Sequence, residues 1–128
     1  MIRQIETTNA ALPTASYSQA MVHGALIATG GQVGIDPATG KLEEGLEAQV
    51  SRAIKNLEQV LIAAGSDLSH VLKTNCFLTN IADFADFDRV YAEHFAEPFP
   101  ARSTIGIELA GSLLFEIEAW AVVDQEHP

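Results

Sequence analysis

Between Leu46 and Ala64 the apolar residues Leu46, Val50, Ala53, Ile54, Leu57, Leu61 and Ala64 recur at spacings of three and four, and Gly65 follows them. This period predicts one amphipathic helix of about five turns, closed by a glycine at its C-terminal end. A helix with a single apolar stripe must lie on another surface. The flanking segments offer a sheet. Ile2 to Thr7, Ser18 to Val22 and Ala25 to Thr29 are short, end at glycine or turn residues and read as strands; Asp36-Pro37-Ala38-Thr39-Gly40 reads as a tight turn. Val71 to Leu78 reads as a further strand, with Leu72, Cys76 and Leu78 on one face and Val71 and Phe77 on the other. Asp83 is placed to cap a second helix whose stripe is Phe84, Phe87, Tyr91 and Phe95, stopped by Pro98 and Pro100. Ala101 to Glu108 and Leu113 to Asp124 close the chain as two strands around the Ala110-Gly111 turn.

The order of strands, helix, strand, helix and two strands predicts an α+β fold, a mixed sheet with both helices on one face. The other face then needs cover. On the last strand Trp120 and Val122 share a side with Glu116 and Glu118, a mixture of apolar and charged groups that suits a subunit interface. The 128 residues, 48% of them hydrophobic, suffice for one core, and no linker or repeat divides them, so a single domain over 1–128 is expected.

Seventeen acids against seven bases give a net charge of −10, which disfavours nucleic acid and anionic membranes and leaves small molecules as the expected partners. Met1 to Asn9 lacks the apolar run of a secretion signal, and no stretch reaches the ~18 apolar residues of a membrane span. Cys76, the only cysteine, has no partner for a disulfide or zinc motif; a reducing, cytoplasmic setting is expected.

Chemistry concentrates towards the C-terminus. Arg102, at the start of a strand, offers a planar, permanently charged fork suited to a carboxylate. Glu116 and Glu118 alternate on one strand, so both project from the same face roughly 7 Å apart, where two like carboxylates can raise the pKa of one of them. A carboxylate titrating near neutral pH can hold or activate a water while Arg102 orients an acidic substrate. The residues alone leave a second reading open, in which Arg102 is a structural bridge to Glu116 or Glu118.

Several motifs, in order, resemble the reactive intermediate deaminase (Rid) family, RidA branch, along nearly the whole chain. They are Tyr17-Ser18-Gln19, Thr29-Gly30-Gly31-Gln32 with Asp36-Pro37-Ala38-Thr39-Gly40, Ala63-Ala64-Gly65, Val71-Leu72-Lys73-Thr74, Asp83-Phe84-Ala85, Tyr91, Pro100-Ala101-Arg102-Ser103, and Glu116-Ile117-Glu118-Ala119. The resemblance implies a chorismate-mutase-like fold, a homotrimer with ligand clefts between subunits, and cofactor-free hydrolysis of 2-imino acids to 2-keto acids and ammonia. It also implies that Arg102 binds the substrate carboxylate, that Glu116 holds the water, and that Tyr17, the Gly31 backbone and Thr104 line the cleft. The chain departs from the family pattern in four places: Gly30 stands where the family carries serine, Ala110-Gly111-Ser112 replaces a Leu-Pro turn, the interval from Arg102 to Glu116 is one residue shorter than expected, and Asp88 stands where many relatives carry asparagine. Alternatives are a non-catalytic metabolite-binding or regulatory trimer, and a pathway deaminase for a larger unsaturated amino acid.

Other signals have plainer readings. His23, His70, His94 and His127 show no zinc-site spacing, so no metal is expected. Cys76 reads as a small core residue. Asp83, Asp86 and Asp88 read as carboxylates at the positive end of a helix, and Gly30, Gly31 and Gly34 as turn residues rather than a nucleotide loop.

Overall fold

The computed structural model describes residues 1–124, which leaves His127 outside the described residues. Seven strands and two α-helices follow one another as β1 (Ile2–Ile5), β2 (Ala20–His23), β3 (Leu26–Thr29), β4 (Gln32–Val33), α1 (Leu46–Ala63), β5 (Val71–Leu78), α2 (Phe84–His94), β6 (Ala101–Gly106) and β7 (Phe115–Val122). The strands form one sheet in the order β1-β2-β3-β7-β5-β6, with β4 paired to β7 beyond the end of β3. All pairings are antiparallel except β5 with β6, which is parallel and makes the sheet mixed. α2 provides the crossover that a parallel pair requires.

α1 buries the expected stripe at Val50, Ala53, Ile54, Leu57 and Leu61, and adds Val60. It ends as a Schellman motif: the amide of Ser66 donates to the carbonyl of Leu61, that of Gly65 to Ile62, and Gly65 takes φ 87°. β7 is the central strand, and its alternation divides the molecule. Phe115, Ile117, Ala119 and Ala121 are buried under the helices, whereas Glu116, Glu118, Trp120 and Val122 lie on the opposite face. Phe87 of α2 meets Phe115 with ring centroids 5.2 Å apart, so α2 is seated on the same face. Trp120 stays 44% exposed on the other face, beside the exposed Met21 and Leu26.

Two expectations need correction. On β5 the structure buries Val71 and leaves Leu72 53% exposed, because a bulge between Val71 and Lys73 shifts the alternation by one residue. Thr74, Cys76 and Leu78 then follow Val71 inward. Asp83 makes no side-chain cap bond; a 3₁₀ turn over Ile81–Asp83 precedes α2, and Asn80 caps it by accepting from the amide of Ala82.

Three buried amides tie the loops to this frame. Gln49 of α1 accepts from the amide of Leu114 and donates to the carbonyl of Glu43, which fixes the turn ahead of β7. Gln19 accepts from the amide of Thr7 and donates to the carbonyls of Thr7 and Ala11. Asn56 donates to the carbonyls of Val33 and Ile35. β4 lies so close to α1 that a Cβ on Gly34 would sit 2.5 Å from the Cα of Gln49.

Gly34→Ala is therefore expected to lower stability by about 1–3 kcal/mol, the cost of overpacking a close contact. Urea unfolding at fixed protein concentration measures it, and a loss below about 0.5 kcal/mol would contradict the close approach of β4 to α1.

Candidate functional site

β4 and β7 together place a carboxylate over a glycine. The pairing of Val33 with Glu116 sets Gly31 directly beneath the Glu116 side chain, and a Cβ at position 31 would lie 2.6 Å from Oε2 of Glu116. A side chain at position 31 would displace the carboxylate from this place. Gly31, Glu116 and Tyr17 line a cleft of about 370 Å³, whose remaining walls include Leu12, Val33 and Leu113. Tyr17 is 51% exposed at its rim, and its hydroxyl accepts from the amide of Thr14 at 3.4 Å. Burial raises the pKa of Glu116 above the ordinary carboxylate value, and the nearby charge of Glu118 raises it further. Glu118 itself accepts a hydrogen bond from Asn75 Nδ2.

A Cβ at Gly30 would approach the carbonyl oxygen of Ser18 to 2.9 Å. A side chain at this position would force the Tyr17–Ser18 segment outward.

Arg102 lies elsewhere. The parallel register pairs Thr74 with Arg102 and Cys76 with Thr104, so Arg102 and Thr104 project from the helix face. Glu116 pairs with Phe77 and projects from the other face. The guanidinium carbon of Arg102 sits 4.6 Å from the ring centroid of Tyr91, 5.1 Å from that of Phe87 and 5.4 Å from that of Phe84. These cation–π contacts orient the fork. Its Nη1 donates to Oδ1 of Asp88 at 2.8 Å. The structural bridge is thus made to Asp88, not to Glu116 or Glu118, because strand alternation carries both glutamates to the far side of the sheet. Asp88 is consequently more than a carboxylate placed near a helix start. Arg102, Asp88, Tyr91, Ala92, Phe99 and Pro100 line a second cleft of about 360 Å³. Thr104, two residues along the same face, has a buried hydroxyl with no hydrogen-bond partner among the described residues.

Cys76 is fully buried, and burial pushes its thiol up to about 12, despite opposing effects from Thr74 and Arg102. It has no nucleophilic character at neutral pH. Sequence spacing missed one gathering: Asp67, His70 and Asp124 bring potential ligand atoms within 4.8 Å of one another. His70 Nδ1 is 2.8 Å from Asp67 Oδ1 and Nε2 is 3.6 Å from Asp124 Oδ1, a polar tie between the start of β5 and the chain just past β7. Among the described residues no helix is long and apolar enough to cross a membrane.

The sequence profile of the Endoribonuclease L-PSP family matches residues 7–123. The chain is 41% identical over 121 residues to the RutC family protein y4sK of Sinorhizobium fredii, covering 93% of this chain and 96% of that one. It is 36% identical over 124 residues to the 2-iminobutanoate/2-iminopropanoate deaminase of Dermatophagoides farinae, covering 95% and 97%. Among solved structures, RidA of the Antarctic bacterium Psychrobacter sp. PAMC 21119 superimposes with a TM-score of 0.92 at 34% identity, covering 94% of this chain and 99% of that one.

The Glu116 environment gives a direct test. Glu118→Gln removes the neighbouring negative charge, so the Glu116 pKa should fall but stay above that of a free glutamate, since burial remains. A ¹³C NMR titration of the side-chain carboxyl reads it; no change on substitution would show that the two carboxylates do not interact.

Proposed function

The chain belongs to the Endoribonuclease L-PSP family, with Rid and RutC proteins among its relatives, and we propose on that premise that it hydrolyses 2-imino acids to 2-keto acids and ammonia. The observation that carries this reading is the pair of clefts, one built around a permanent cation and the other around a carboxylate of raised pKa. One binds an acid and the other handles a proton.

In one chain these clefts open on opposite faces of the sheet, so no single copy can bring Arg102 and Glu116 to one small substrate. The homotrimer implied by the family resemblance resolves this, with each site taking Arg102 and Thr104 from one subunit and Tyr17, Gly31 and Glu116 from its neighbour. The exposed Met21, Leu26 and Trp120 give the open sheet face the apolar area that such an interface needs.

The substrate carboxylate docks on the Arg102 fork and accepts from Thr104, whose hydroxyl has no partner among the described residues. Glu116, ionised, takes a proton as water oxygen bonds to the imine carbon and the C=N electron pair moves onto nitrogen. The protonated Glu116 returns that proton to nitrogen. Glu116 then carries the hydroxyl proton of the resulting carbinolamine to its nitrogen, the C–N bond breaks, ammonia leaves and the carbonyl forms. Gly31 allows the carboxylate to lie against the backbone, and Tyr17 covers the cleft rim. Every atom of the products comes from imine and water, so the reaction calls on no cofactor.

Generating 2-iminobutanoate with an amino-acid oxidase and trapping what remains with semicarbazide measures the activity. Arg102→Ala is expected to lower kcat/KM about 10²-fold through loss of charge-assisted bonds, and Glu116→Gln to lower kcat by about 10²–10⁴. Because Glu116 works ionised, kcat/KM should fall as pH drops through its raised pKa, higher than for a free glutamate. An Arg102→Ala protein with wild-type turnover would overturn the proposal.

A further inference from the structure

Asp88 is bonded to the residue assigned to the substrate carboxylate. Its carboxylate is 49% exposed, the Arg102 side chain only 21%, and both border the same cleft. Their contact joins one nitrogen, Nη1, to one oxygen, Oδ1. It is the only hydrogen bond either side chain makes among the described residues, so the remaining guanidinium N–H groups and Oδ2 of Asp88 keep their bonding capacity. The three rings around Arg102 hold the fork in place, so a ligand meets a fixed positive group with a negative group at its side.

A protonated 2-imino acid carries the complementary pattern. Its carboxylate is negative and the nitrogen on the adjacent carbon is positive, with N–H bonds pointing beside the carboxylate. The 2-keto acid product keeps the carboxylate but has at that position an oxygen with no proton to donate. We propose that Asp88 and Arg102 together read this charge pair: Arg102 takes the carboxylate, and Asp88 accepts an N–H from the iminium nitrogen. This inference rests on the proposed imine hydrolysis and adds a substrate-selecting role for Asp88.

Two consequences follow from the chemistry. Asp88 favours the iminium over the neutral imine, and the iminium is the better electrophile for water because its nitrogen already carries the proton that the C=N electron pair neutralises. After the C–N bond breaks, a ketone oxygen faces the Asp88 carboxylate, and repulsion between two acceptors weakens product binding. The same pair that holds substrate then disfavours product.

The test compares L-2-aminobutanoate, which has a carboxylate beside a cationic nitrogen, with 2-ketobutanoate, which lacks the N–H donor. Isothermal titration calorimetry on the intact assembly gives both dissociation constants. Wild type should prefer the amino acid. Asp88→Asn should weaken the amino acid, tighten the keto acid and shift the ratio at least tenfold, and kcat/KM for 2-iminobutanoate should fall by a similar factor. Asp88→Ser, a second removal of the charge, should move the ratio in the same direction. Equal tightening of both ligands in the variants would make Asp88 only a competitor for Arg102 and overturn the inference, as would an unchanged ratio. If wild type hydrolyses 2-iminobutanoate but the ratio does not move, this inference alone falls; if wild type neither binds these ligands nor hydrolyses the imine, the proposed function falls with it.

Discussion

The alternation of β7 governs the rest of the molecule. Its residues must face opposite sides in turn, and the helices can cover only one side. Phe115, Ile117, Ala119 and Ala121 take the covered side and build the core with α1 and α2, leaving Glu116, Glu118, Trp120 and Val122 on the open face. The parallel pairing of β5 with β6 then directs Arg102 to the helix side. A one-residue shift in either register would reverse these placements. The separation of Arg102 from Glu116 is thus a property of the sheet, not of flexible loops.

Local devices refine that frame. Glycine at position 31 admits the Glu116 carboxylate to the backbone, and glycine at 34 lets β4 approach α1. The buried amides of Gln19, Gln49 and Asn56 bond backbone groups of the loops and so fix those loops to the sheet and α1. Around Arg102 the rings supply orientation and Asp88 supplies local charge balance in a protein whose overall charge is strongly negative. In the proposed reaction, anion recognition depends on that one positive group held in a shaped cleft.

Long periodic segments were legible in the sequence because their packing follows a single period. α1, α2 and β7 appear where their stripes place them, and the Gly65 stop is visible because few other residues take its positive φ. β4 was missed since two residues carry no period. The bulge at Leu72 was invisible because it comes from pairing with β7, remote in sequence. The same limit hid the partner of Arg102: Asp88 reads as one of several acids near a helix start, and only the crossover brings it to the edge strand. Asn80 caps the 3₁₀ turn ahead of α2, a turn too short to carry a hydrophobic period of its own.

The central claim is that Arg102 and Glu116 act together only across a subunit boundary. In the proposed homotrimer, Arg102→Ala and Glu116→Gln, each expected to be strongly impaired alone, are unfolded together and refolded as mixed assemblies. In a randomly mixed ring about one site in four joins an intact Arg102 to an intact Glu116 from its neighbour, so imine hydrolysis should return to about a quarter of the wild-type rate. No recovery, with mixed assemblies confirmed by mass spectrometry, would contradict the account.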